Sequence, residues 1–152
     1  MAHGVAGVLF REIQGILEVL VVEEDRDDER TGKKKGMLSI PAGWINEGEE
    51  PEEAICREFL EESGREVQAT GFLGEFPVRA FSALAFRVNL LSDEVQRTSE
   101  YLNPRWIPCE ELLAMEVGKV RPIALDILWQ ALRTTQAETP AFQLMFPYSS
   151  HV

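Results

Sequence analysis

The acidic side chains best placed to do chemistry lie between Gly43 and Arg65, in GWINEGEEPEEAICREFLEESGR. Glu58, Glu61 and Glu62 are spaced i, i+3 and i+4, which stacks them on one arc of a helix. Like charges at these spacings cost a helix about 0.2–0.5 kcal/mol per pair, so something cationic should offset them. Arg57 and Arg65 each stand four residues from Glu61, and pairing with them would make a solvated, ion-paired helix face. A hard divalent cation is the other solution. Mg²⁺ prefers oxygen ligands and is typically held by one or two carboxylates together with a substrate's phosphates. Spacing alone leaves both open.

These residues need a helix with definite ends, and the flanking sequence supplies them. Pro51 suits the first helical turn, where its missing N–H costs nothing, and Gly64 suits the left-handed stop. Ile55, Cys56, Phe59 and Leu60 share the side expected to be buried. Upstream, Val5–Phe10 and Ile16–Val22 read as a hairpin around Gln14-Gly15. The run from Glu23 to Lys35 has little apolar content and is expected to be a mobile charged loop, with Lys33, Lys34 and Lys35 able either to meet a polyphosphate or to stay solvated. Met37–Ile40 is a short strand that delivers the chain to Pro41-Ala42-Gly43.

Beyond the helix, Val67–Glu75 and Val78–Leu91 read as strands, followed by a polar loop from Ser92 to Glu100. Arg105–Pro108 is a short strand, Cys109–Met115 a helical turn, and Pro122 opens a last helix with Ile123, Ile127, Leu128 and Leu132 at helical spacing. Trp129, Phe142 and Phe146 are expected to pack. Interleaved strands and helices predict an α/β fold, a mixed sheet covered on both faces.

A chain of 152 residues has room for one domain with a real core, and its 45% hydrophobic content excludes disorder as the general state. Fifteen basic against 26 acidic side chains leave a formal charge of −11, which repels nucleic acid polymers and anionic membranes. A small phosphorylated substrate meets the same repulsion, so a metal and local cations would have to reverse the sign at the site. MAHGVAGVLF has no secretory character and no run approaches the roughly 18 apolar residues of a membrane span, so a soluble cytoplasmic protein is expected. Two cysteines, Cys56 and Cys109, are expected to be reduced and buried.

Gly43, Glu49, Arg57-Glu58, Phe59, Glu61-Glu62 and Gly64 together resemble the signature of the Nudix (MutT-like) hydrolases, G-x5-E-x7-R-E-U-x-E-E-x-G-U with U a bulky apolar residue. Every fixed letter agrees, and the final U is replaced by Arg65, which puts local packing after the helix in question but touches no metal position. The resemblance implies a single Nudix domain over residues 1–152, an α/β/α sandwich with a mixed central sheet, hydrolysing phosphoanhydride bonds with Mg²⁺ or Mn²⁺. It implies that Glu58, Glu61 and Glu62 bind metal, that Glu49 and Arg57 tie loop to helix by an ion pair, with Glu49 able to reach metal through water, and that Gly43 lets the backbone pass close to the site. The base varies in the family. Glu58 is the first candidate, and Glu100, in a loop shortly before Trp106, the second.

For the substrate, Trp44 could stack a base or cover the core, and Arg79 and Arg87 could bind phosphate or ribose. PAGWINEGE, RWIPCEELL and the tail from Arg121-Pro122 to TPAFQLMF are similar to a bacterial Nudix subgroup acting on thiamine pyrophosphate and nucleoside di- or triphosphates. ADP-ribose pyrophosphatases commonly carry an extra N-terminal subdomain, and the short segment before the first strand here weighs against them. Nucleoside diphosphate sugars remain the alternative substrate class, and a non-catalytic nucleotide sensor is the alternative outside enzymes. Intact carboxylates argue against the sensor. Monomer and homodimer both stay open.

Overall fold

The computed structural model describes residues 3–134. Its innermost strand, β1 (His3–Ile13), is apolar on both faces: Val5 and Leu9 look one way, Ala6 and Val8 the other. A strand covered on both sides must lie inside a sheet with a layer above and below it. β1 runs through a tight turn at Gln14 (φ 51°) and Gly15 (φ 79°) into antiparallel β2 (Ile16–Glu23), the two-residue positive-φ hairpin that matches strand twist. On its other side β1 pairs in parallel with β6 (Phe81–Val95), which pairs with the edge strand β5 (Arg65–Val78). Three short strands complete the seven-stranded mixed sheet: β3 (Leu38–Ser39) and β7 (Arg105–Pro108) on β2, and β4 (Ala42–Trp44) on the start of β1.

Helix α1 (Pro51–Ser63) covers one face through Ala54, Ile55 and Phe59, packed on Val5, Leu9, Leu20, Phe86 and Val88. The other face is covered by α2 (Cys109–Leu113) and α3 (Pro122–Thr134), with Leu112, Ile127, Leu128 and Leu132 against Ala6, Val8, Val19 and Ala85. The fold is therefore the expected mixed α/β arrangement. Trp129 departs from expectation, being 41% exposed on the outer side of α3. Phe142, Phe146 and the TPAFQLMF tail lie outside the described residues.

α1 begins and ends where its punctuation predicts, with Pro51 in the first turn and Gly64 left-handed at φ 71°. The Glu53 carboxylate accepts the Glu50 N–H at 3.0 Å, which satisfies a donor left open at the helix start. The buried stripe is rotated from the expected one: Ala54, Glu58 and Ser63 join Ile55 and Phe59, while Cys56 and Leu60 are half-buried at its rim. Glu58 is the cause, because its side chain turns in toward Gly43. The helix lies so close to β1 that a Cβ on Gly7 would stand 2.6 Å from the Phe59 ring and 2.8 Å from Ile55. Gly7→Ala is expected to cost about 1–3 kcal/mol by overpacking, read as a lower urea midpoint at unchanged slope; an unchanged midpoint would mean that the helix moves aside freely.

Arg65 fills the departing signature position without a packing defect. Its guanidinium lies 5.8 Å from the Trp106 ring centroid and donates to the Ser63 carbonyl at 3.1 Å instead of reaching Glu61.

The charged segment between β2 and β3, expected to be a mobile loop, forms a network of its own hydrogen bonds. Asp28 and Lys33 form a β-bridge, Asp27 accepts the Lys35 N–H at 2.8 Å, and the Gly36 N–H returns to the Glu24 carbonyl at 2.8 Å. Two distant arginines brace it, Arg79 on the Glu29 carbonyl at 2.7 Å and Arg121 on the Thr31 carbonyl at 3.0 Å. Backbone and aspartate hydrogen bonds replace the apolar contacts that the segment lacks.

Candidate active site

β4 and α1 set the two sides of one cleft. Gly43 in β4 passes directly over the Glu58 carboxylate, and the Ala42 N–H donates to Glu62 Oε1 at 3.0 Å. A third segment reaches the site from the loop after β6. The Gln96 N–H donates to the Gly64 carbonyl, Thr98 Oγ1 to the Glu61 carbonyl and the Leu102 N–H to the Glu62 carbonyl. Carbonyls at the end of α1, which have no partner within the helix, are thereby satisfied. The same bonds carry Glu100 to the helix. Glu58, Glu61, Glu62 and Glu100 consequently line one cleft, whose other wall is the loop from Glu24 to Lys33.

Arg57 organises the acidic groups. Its Nε and Nη2 grip Glu49 Oε2 and Oε1 at 2.8 and 3.0 Å, and Nη2 also donates to the Trp44 carbonyl at 2.8 Å. Nη1 reaches Glu58 Oε1 at 2.8 Å and Glu61 Oε2 at 3.2 Å. This two-pronged grip holds the Glu49 carboxyl below its ordinary range, and the carboxylates, Glu49 first, raise the Arg57 pKa further. Both Glu49 oxygens are engaged by Arg57, and through this pair Glu49 ties the loop to the helix.

The remaining carboxyls are under electrostatic strain. Burial raises the Glu58 pKa, against the lowering effect of Arg57, with Glu61 and Glu100 raising it further. Glu62 keeps some exposed surface, yet its carboxyl is enclosed enough that desolvation, then Glu58, lift its pKa well above the ordinary value; the Ala42 N–H and Lys33 act the other way. Glu100 is raised first by a hydrogen bond shared with Glu61. Among the described residues no three acidic groups already stand at the spacing of a closed metal shell, and Arg57 Nη1 lies between Glu58 and Glu61. In chemistry the donors nonetheless fit a hard divalent cation: they are carboxylate oxygens, crowded and only partly neutralised.

A sign follows for the metal-free protein. Above the ordinary carboxylate value of 4.5, and up to the raised folded value, the native Glu62 binds more proton than the unfolded chain, so its contribution to stability falls as pH rises. Glu62→Gln removes this loss while keeping an acceptor for the Ala42 N–H. The variant should melt above wild type at about pH 8 without divalent ions, with the gain shrinking toward pH 4.5. A thermal shift series over pH reads it, and equal or lower melting at pH 8 would contradict it.

Of the expected substrate-binding residues, Gly43 and Trp44 lie at the site. Trp44 is 39% exposed with its ring 4.4 Å from Phe81, and it borders both the cleft and an apolar cavity behind it. Arg79 sits in the β5–β6 turn and braces the acidic loop. Arg87 lies elsewhere, on the α3 face with its guanidinium 5.5 Å from the Phe10 ring centroid. Lys33, one of three equivalent-looking lysines, is the half-buried one; it pairs with Glu24 at 3.5 Å and borders both cleft and cavity. No spacing in the sequence marks Glu24, Phe81 or Arg121 as lining the cleft or the cavity behind it. They come from three separated segments, and only the folded topology brings them together.

The NUDIX domain profile matches residues 1–127. Among solved structures, a NUDIX hydrolase from Nitrosomonas europaea is similar at a TM-score of 0.68 and 22% identity, covering 86% of this chain and 87% of that one. An ADP-ribose pyrophosphatase from Streptococcus suis matches at 0.62 and 21%, covering 88% and 93%. The NUDIX domain of Shewanella oneidensis NrtR, solved with ADP ribose, matches at 0.63 and 19%, covering 85% and 84%. At these identities the structures speak for the fold, and the family match, taken with them, supports Nudix-type hydrolase activity. With its signature folded into a loop, a carboxylate-bearing helix and the cleft between them, the chain belongs to the NUDIX domain family.

Proposed function

We propose that the chain is a divalent-metal-dependent hydrolase of phosphoanhydride bonds, acting on nucleoside di- or triphosphates or a related pyrophosphate such as thiamine pyrophosphate. The observation that carries this reading is the convergence of Glu58, Glu61, Glu62 and Glu100 on one cleft that continues into an apolar cavity past Gly43 and Trp44. Nudix hydrolases generally use divalent metals, and Mg²⁺, or Mn²⁺ in its place, would neutralise the phosphate oxygens here.

The protein's own groups do the rest. Glu58, Glu61 and Glu62 supply hard oxygen donors, and Arg57 with Glu49 locks the β4 loop to the helix so that these donors stay in register. Glu58 is the first candidate to take the proton of the attacking water, since burial moves its pKa toward neutrality, where a general base works best. Glu100 is the second; its loop position lets it approach from the open side. Trp44 and Phe81 offer a wall for the ring of the substrate. The free thiols of Cys56 and Cys109 suit a reducing compartment, and we place the protein in the cytoplasm. No described helix is long and apolar enough to cross a membrane.

A second reading rests on the Streptococcus suis and Shewanella oneidensis similarities: a nucleoside diphosphate sugar such as ADP-ribose, cleaved or merely sensed. A panel of phosphate compounds, assayed for phosphate and pyrophosphate release in ¹⁸O-water, separates these. Release from nucleoside or thiamine diphosphates supports the first reading, cleavage of ADP-ribose alone the second, and saturable binding with no release a sensor.

A further inference from the structure

The face of the sheet that α1 covers runs on past the contacts of the helix. Leu9 and Leu20 belong to the core under α1, and strand alternation carries the same face to Arg11 and Ile13 in β1 and to Ile16 and Glu18 in β2. Ile13 and Ile16 pair across the hairpin, and both are exposed. Leu90 in β6, next on this face after the buried Val88, is exposed as well.

Beside this apolar end runs a row of alternating guanidiniums and aromatic rings, drawn from β1, β7, the start of β5 and the loop after β6. The Arg11 guanidinium lies 4.4 Å from the Trp106 ring centroid, and that of Arg65 lies 5.8 Å from the same ring. The Arg97 guanidinium stands 4.6 Å from the Tyr101 ring centroid. Burial holds the Arg65 pKa below the ordinary arginine value, with Tyr101 acting against this and Arg11 adding to it, so the two ends of the row meet at Arg65. One carboxylate joins them: Glu18 accepts from Arg11 Nε at 2.7 Å. No carboxylate among the described residues pairs with Arg65 or Arg97, and Glu66, next to Arg65 in the chain, accepts from the Gln96 amide at 2.7 Å instead. A chain of net charge −11 thus keeps one strip of its surface cationic. Stacking on rings fixes the guanidiniums in place while leaving them donors for an anion.

Charge decides between the possible occupants. A second copy docked on the same strip would set these guanidiniums against their own kind, and a long nucleic acid meets the negative charge of the surrounding surface. A short acidic segment meets the strip alone. We propose that this surface docks an acidic peptide segment of a partner protein: its carboxylates meet Arg65 and Arg97, and an aromatic or aliphatic side chain of the segment lies on Ile13, Ile16 and Leu90. Arginine and aromatic side chains carry a large share of the binding energy at protein interfaces, and here they are already assembled. The docking is independent of hydrolysis, because none of these residues lines the carboxylate cleft.

The probe is a fluorescein-labelled random copolymer of glutamate and tyrosine, which carries both carboxylates and apolar rings, titrated with the whole chain and read by fluorescence anisotropy. It should bind saturably, and more tightly than polyglutamate of the same length, which lacks the rings. Arg65→Leu, which restores the apolar residue of the signature, and Arg97→Gln should each weaken binding about fivefold or more, as the loss of an interface arginine does. Arg133→Gln, on α3 across the sheet, should leave it unchanged. Arg97 is exposed, so Arg97→Gln carries the test if Arg65→Leu does not fold. Absence of saturable binding, equal binding of polyglutamate, or an equal loss in Arg133→Gln overturns the proposal, the last by showing attraction without a site. Tighter binding of an oligothymidylate through the same arginines overturns it in favour of a nucleic acid surface. A dimer in sedimentation velocity that Arg65→Leu or Arg97→Gln dissociates overturns it in favour of a second copy.

Discussion

Glu62→Gln is expected to lower turnover about 10³-fold while leaving the circular dichroism of the fold intact, and Glu58→Gln to do the same, a loss of about 4 kcal/mol of transition-state stabilisation in each case. Glutamine keeps the size of the side chain and an acceptor oxygen, so the Ala42 N–H bond at 3.0 Å survives in Glu62→Gln. What is lost is charge. The cleft has to bring a polyphosphate to a protein of net charge −11, and ionised Glu58 and Glu62 are the groups that would recruit the cation making this possible. Glu100→Gln distinguishes the two candidate bases: a smaller loss than in Glu58→Gln leaves the proton with Glu58, and a larger one moves it to Glu100. Near-normal turnover in both Glu58→Gln and Glu62→Gln would refute the assignment of the site.

Gly43→Ala is expected to abolish most activity with far less effect on stability. A Cβ there would stand 2.1 Å from Glu58 Cδ and 2.2 and 2.5 Å from its two oxygens. Gly43 does not occupy the left-handed region, so backbone strain is not the issue; the space is already taken. Glu58 is buried and held by Arg57 at 2.8 Å, so it yields only by leaving its position or by pushing β4 outward. A displacement of about 1 Å in a positioned catalytic group costs about 10²-fold in rate. Steady-state kinetics beside thermal melting checks this: kcat should fall at least that far while melting changes by a few degrees, and unchanged kcat would show that the contact between Gly43 and Glu58 does not matter for turnover.

The part of the site legible in the sequence was the part written within a single helix. Glu58, Glu61 and Glu62 fall together because helical periodicity converts spacing into direction, and Pro51 and Gly64 bound the element where the structure ends it. The burial of Glu58 was not legible, since a glutamate on an acidic helix ordinarily faces water; the missing side chain of Gly43, fifteen residues earlier, makes the room. Glu100 could be nominated only through family resemblance, because its approach depends on hydrogen bonds from Gln96, Thr98 and Leu102 to carbonyls at the end of α1. The hydrogen bonding of the segment from Glu23 to Lys35 is hidden for a related reason. Its composition lacks apolar anchors, and its contacts are aspartate-to-backbone bonds and bonds from Arg79 and Arg121, far away in the chain. Arg87, expected at the substrate, is turned by strand alternation to the α3 face, away from the carboxylates, and only the folded strand order shows which way it faces.

The measurement that tests the central claim most directly is anomalous scattering from Mn²⁺ in crystals grown with a non-hydrolysable diphosphate. The account predicts a manganese peak within coordination distance of Glu58 and Glu62, bridged to the diphosphate in the cleft below Gly43. Manganese bound elsewhere, or a diphosphate seated in the cleft with Arg57 still spanning Glu58 and Glu61 and no metal beside them, would contradict it.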